Sequence, residues 1–125
     1  MQTQNSSGFK GCMTNAAQIN EGMRVKVVSQ AAGFIVVDIA GNADISIGVA
    51  CHTAAPGAPL SVKLFSAGGT WLMVTSGAIA IGTQIYPTAN GAIGAAGTTA
   101  LPLITLEAAT AAGNIIEVGE MFVGA

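Results

Sequence analysis

A glycine, two further residues and then an aliphatic recur four times along this chain, each time after a short alanine-bearing stretch: Gly22 with Val25, Gly57 with Leu60, Gly82 with Ile85, and Gly113 with Ile116. Glycine accepts the left-handed backbone that tight turns often demand, at no steric cost. The aliphatic that follows is placed to enter a core and to open a strand running on alternate positions, to Val27, Val62, Pro87 and Val118. Two copies resemble each other most. "IGVACHTAAPGAPLSV" (47–62) and "ITLEAATAAGNIIEV" (104–118) share the order strand, alanine-rich turn, glycine, strand, with Pro56 inserted in the first. The glycines stand 35, 25 and 31 residues apart, and this irregularity disfavours a solenoid of equal stacked units.

Strand periodicity fills the space between these turns. "MRVKVV" (23–28) alternates Arg24 and Lys26 with Val25 and Val27, which puts the basic pair on a wet face. "FIVVDIA" (34–40) is continuously apolar and β-branched, as a buried strand is, and "GNADISIGVA" (41–50) turns at Gly41 and Asn42 before aligning Ile45, Ile47 and Val49 on one face. Further strands are predicted in 59–65, 70–75, 83–87, 101–107 and 114–123, with 89–100 as an exposed loop or short hairpin. The alanine-rich segments "HTAAPGA" and "EAATAAG" fall short of the ~12 residues an isolated helix needs. The fold class is therefore all-β, a small β-barrel or sandwich of short antiparallel strands. Residues 1–20 show no sustained period and read as an extended N-terminal arm, leaving 21–125 as a single β domain.

Composition then excludes several functions. Charged residues make up 8% of the 125, against ~25% in an ordinary domain. The four basic residues, Lys10, Arg24, Lys26 and Lys63, are scattered in a chain of net charge −2, so no basic stripe tracks a nucleic acid backbone. The longest weakly polar run (77–97) is broken by glycine and proline and carries Thr, Gln and Asn, which argues against a membrane span. The first residues lack the basic and apolar regions of a signal peptide, so a cytoplasmic product with Cys12 and Cys51 as free thiols is expected.

Catalytic groupings are not evident. His52 is the single histidine, and the adjacent Cys51 would face the opposite way on a strand. The carboxylates Glu21, Asp38, Asp44, Glu107, Glu117 and Glu120 are not in a metal-ligand spacing, and the glycine-rich stretches lack the lysine and helix of a phosphate loop. The expectation is a protein that is not an enzyme, with no cofactor and no metal. A chain this poor in charge suits contact with other protein, so self-association is expected. Candidate contact residues are Phe9, Lys10 and Met13 on the arm, with Trp71 added if it is exposed.

The segments "IGVA", "GAPLSVKL", "SGAIAIGTQIYPTANG" and "LEAATAAGNIIEV", in that order between Glu21 and Val118, resemble the capsid cement or head-decoration proteins of tailed phages. The resemblance implies a small β-barrel-like protein, commonly a homotrimer, that is made in the host cytoplasm and binds the outer surface of an assembled head in the virion. It would bridge subunits of the major capsid protein. On this expectation the arm adds to a capsid strand edge, with Phe9 filling a pocket. A fibre or adhesin module binding the host surface is the alternative.

Overall fold

The computed structural model describes residues 8–121, and the fold is all-β. Five strands, β1 (Phe9–Thr14), β2 (Arg24–Ala31), β3 (Phe34–Ile39), β4 (Gly48–Ala50) and β5 (Pro59–Leu64), close into a barrel in the order β1-β3-β2-β4-β5. Its pairs are antiparallel except β1 with β3, which run parallel. After a single 3₁₀ turn at Phe65–Ala67 come β6 (Thr70–Val74), β7 (Tyr86–Pro87), β8 (Ile93–Gly94), β9 (Leu103–Thr105) and β10 (Ile115–Glu120). These form a three-stranded sheet β6-β10-β9 and a hairpin β7-β8, with a second 3₁₀ turn at Ala89–Gly91.

The second set of strands repeats the first. β6 pairs with β10 as β1 pairs with β5, β9 with β10 as β4 with β5, and β7 with β8 as β2 with β3. Two single bridges complete the correspondence: Thr75 with Ile93, parallel like Thr14 with Val37, and Gln84 with Ile104, antiparallel like β2 with β4. The molecule is thus two five-stranded units in tandem, residues 8–64 and 70–120. The unequal glycine spacing follows from this, because the two long gaps each contain a hairpin (β2-β3 or β7-β8) and the short gap joins the halves.

The recurring turn is the device that both halves share. Gly22, Gly57, Gly82 and Gly113 all have positive φ, between 72° and 88°. The aliphatic residues that follow them, Val25, Leu60, Ile85 and Ile116, are all buried to 2% exposure or less. Turns associate in pairs. Ile19 and Ala54 exchange two backbone hydrogen bonds at 3.0 and 2.9 Å, and Ile79 and Ala109 do the same at 3.0 and 2.9 Å. Buried threonines clasp the turns from across each pair: the Thr14 hydroxyl donates to Ala55 O at 2.6 Å, Thr75 to Ala111 O at 3.1 Å, and Thr105 to Ala80 O at 2.8 Å. At the fourth equivalent position stands Ala50, whose backbone makes the same bonds without a hydroxyl.

Two apolar clusters form, one around Ile19, Val25, Val37 and Leu60 in the first half and one around Met73, Ile79, Ile85 and Ile116 in the second, the latter also taking in Val49 of β4. Several contacts join the halves, among them Val49 in that second cluster and Lys63 Nζ on Thr70 O. Gly22 lies against β6, donated to by Val74 N–H at 3.0 Å, and a Cβ there would sit 3.1 Å from Val74 N. The Trp71 indole donates to Leu64 O at 3.3 Å. Arg24 is fully buried, its guanidinium donating to Thr88 O at 2.8 Å and Ala92 O at 3.2 Å in the second half, and to Ala40 O and Gly41 O at 3.4 Å in the first.

Three expectations change here. Arg24 is not on a wet face, because the 88–92 segment of the second half covers it. Ile45, expected in line with Ile47 and Val49, is 88% exposed, since the chain turns at Gly41–Asp44 and the strand begins only at Gly48. Of the segment read as an arm, residues 1–7 lie outside the described residues, and Phe9–Thr14 is the strand that closes the first barrel.

Candidate functional site

Exposed apolar side chains form two groups, one on a face of each half, besides Val27, Val28, Ile45 and Ile81, which are also exposed. On the first, strand alternation turns Phe9, Gly11 and Met13 of β1 outward beside Phe34 and Val36 of β3 and Pro59 of β5, with Cys12 inward. Phe9 and Phe34 are each 49% exposed. Gly11 has open space where a Cβ would stand, and the resulting groove of about 300 Å³ is walled by Phe34, Pro59, Ser61 and His52. On the second face, the outer side of β6-β10-β9, Leu72 is 53% exposed, Leu106 43% and Ile115 42%, around Glu117.

The structure brings three of the sequence-predicted contact residues together, since Phe9, Lys10 and Met13 share β1. β5 pairs with Phe9–Met13 and β3 with Cys12–Thr14, so both edges are occupied at Cys12 and Met13. Trp71 leaves the contact set: it is 2% exposed, packed edge-to-face on Phe65 with ring centroids 5.7 Å apart and covered by Lys63 Nζ at 5.2 Å. Sequence reading missed Phe34, taken as buried, and Leu72, Leu106 and Ile115. For the last three, alternation against the buried Trp71, Met73, Ile116 and Val118 is the signal that finds them.

The titratable groups serve local structure. Ser61 N–H donates to His52 Nε2 at 3.1 Å while Nδ1 lies 3.3 Å from Thr53 O, so both ring nitrogens are occupied by the backbone and neither engages Cys51. Both cysteines are free thiols, and burial raises the Cys12 pKa, partly offset by Lys10. Asp44 accepts Gly41 N–H at 2.7 Å and the Lys26 ammonium at 3.0 Å, and these contacts hold its carboxyl below the usual carboxylate range. The effect is to lock the loop that holds Ile45 outward. Among the described residues no group of three His, Cys, Asp or Glu side chains is placed to hold a metal, and no helix is long and apolar enough to cross a membrane. What the arrangement offers is contact area on two rigid faces.

Comparison with solved structures finds a likeness of fold. No known protein family and no curated protein matches the sequence. Among solved structures, the N base of the head fiber gp8.5 of bacteriophage phi29 superposes with a TM-score of 0.71, covering 92% of this chain and 99% of that chain at 14% identity. At that identity the likeness is one of fold.

Proposed function

We propose that this protein is a non-catalytic component of a tailed-phage virion, a decoration protein that binds the outer surface of the assembled head and bridges neighbouring major capsid subunits. The observation that carries the reading is the end-to-end likeness of the tandem fold to the base of a phage head fiber. The sequence resemblance to head-decoration proteins and the two exposed apolar faces point the same way. The mechanism is added interface. A protein that binds the assembled shell and not its separated subunits stabilises the shell by mass action. In this reading the protein acts as a homo-oligomer, most simply a homotrimer.

The same comparison favours one second reading, in which the chain is a fibre-type module that binds the host surface. Co-sedimentation with expanded and unexpanded heads tests both. Saturable binding to expanded heads, with heads more resistant to heat or chelator when coated, is the expected result. Absence of binding to either form overturns the decoration reading, and binding to host envelope in its place selects the fibre reading.

A further inference from the structure

Of the six asparagines in the chain, only Asn90 precedes a glycine. That dipeptide carries its own chemistry. The Gly91 amide gives its proton to hydroxide, and its nitrogen attacks the carbonyl carbon of the Asn90 side chain. The bond to the carboxamide nitrogen breaks, ammonia leaves with a proton taken from water, and a five-membered succinimide remains. Water then opens either ring carbonyl, leaving aspartate or isoaspartate at position 90. The net change takes up a water and releases an ammonia, so no further reagent is needed. A following glycine favours the reaction because no Cβ shields the attacking nitrogen, and asparagine is among the thermolabile residues of proteins.

In the folded chain the geometry withholds this reaction. Asn90 has φ of 60° and ψ of 35°. That ψ sets the Gly91 nitrogen nearly trans to the Asn90 Cβ, whereas the ring needs the two close to eclipsed. Gly91 N–H is also engaged, donating to Ala40 O at 2.8 Å across the boundary between the halves. Gly91 is buried against the first half, where an added Cβ would lie 3.0 Å from Met23 Cβ and 3.1 Å from Arg24 O. Asn90 itself is exposed, so hydroxide and water reach its carboxamide. From these contacts we propose that Asn90 is a latent modification site, silent while the halves are docked and reactive when they part. The reaction runs one way. Isoaspartate carries the main chain through its side-chain methylene, so the turn that meets Ala40 and covers Arg24 does not re-form. Each event leaves a permanent mark of an opening.

A comparison within one molecule tests this. Ala32→Asn builds the same dipeptide at the tip of the β2-β3 hairpin, where φ of 50° and 82° resemble the Asn90–Gly91 turn but a Cβ at Gly33 meets nothing. The folded variant is held in mildly alkaline buffer, and peptide mapping by mass spectrometry follows conversion at both asparagines. Asn90 should react at least roughly tenfold more slowly than the introduced asparagine, and at a similar rate once urea unfolds the chain, because a site that reacts only from an opened state is slowed by the rarity of that state. Adding Arg24→Met, which loosens the docking, should speed Asn90 and leave the introduced asparagine unchanged. Should that double variant fail to fold, urea below the unfolding transition takes its place and should have the same selective effect. Equal rates at the two turns in the folded chain overturn the proposal. So does an Asn90 rate that responds to neither loosened docking nor mild urea.

Discussion

In the first half of the chain, β2 and β3 are in register at six positions, whereas in the second half the equivalent β7 and β8 share two. The cores differ in the opposite sense. Where the first half buries Cys12, Val25 and Val37, the second buries Met73, Ile85 and Ile93, each larger by a methylene or more. With ~0.8 kcal/mol gained per buried methylene, the second half recovers through side-chain volume part of what it lacks in ladder. The turns barely change between the two. The lesson is that the paired glycine turns, with their threonine clasps and buried aliphatics, define this fold, and that strand length and core volume can be exchanged around them.

The largest test of that comparison is the position just before the core aliphatic, Arg24 in one half and Gln84 in the other. Arg24 reaches four carbonyls from full burial, while Gln84 reaches only Leu101 O at 3.2 Å. Arg24→Met should lower the unfolding free energy by about 3 kcal/mol and Gln84→Ala by about 1 kcal/mol, measured by denaturant titration, since the first forfeits four hydrogen bonds from a buried cation and the second a single one. Next come the clasps. Thr75→Val and Thr105→Val should each cost about 1–2 kcal/mol in the same assay, and Thr14→Val should match them if the turns are equivalent. A null effect at Thr14 alone would show that Ala50 already marks a weaker clasp in the first half.

A smaller effect of opposite sign lies at the tip of the long hairpin. Ala32 has φ of 50° and Gly33 82°, the pattern of a two-residue hairpin turn that suits Asn-Gly better than Ala-Gly. Ala32→Asn should raise stability by about 0.5–1 kcal/mol, giving the long hairpin the Asn-Gly pair that Asn90 and Gly91, at φ of 60° and 73°, already supply between β7 and β8. The smallest effect is the acid response of the Asp44 loop. Its carboxyl pKa is depressed in the folded chain, so its contribution is complete above the unfolded value of ~3.9 and is lost as pH falls through the lower folded value. Asp44→Asn should flatten that part of the stability–pH curve, read by thermal melts in acid, and leave the second half unaffected.

How far the sequence reveals this molecule varies from residue to residue. The four turn glycines, the aliphatics after them and most strands are legible because each is a local signal of the backbone. β1 is not, because its alternation is inverted. Cys12 and Thr14 face inward while Phe9 and Met13 face out, so the apolar pattern marks the wrong side. Arg24 is hidden for a related reason, since beside Lys26 it has the period of a solvated face, and only packing of the second half covers it. The full duplication escapes because equivalent positions keep apolar character and burial rather than identity or size, as in Val37 and Ile93. Of the candidate contact residues, β1 supplied those that could be named in advance; the sheet face depended on knowing which strands pair.

Among the described residues every ladder joins strands of the same half, and the halves meet through Gly22 on β6, the Trp71 indole on Leu64, Lys63 on Thr70, Val49 in the second half's apolar cluster, Arg24 on the 88–92 segment, and the Gly91–Ala40 hydrogen bond. The order of events in folding follows. Each half can close around its own turn pair first, and the guanidinium is shut away last, when two nearly finished barrels dock. Contacts that form after the rate-limiting barrier act on escape from the native state, so loss of Arg24 should quicken unfolding while leaving the refolding rate almost untouched.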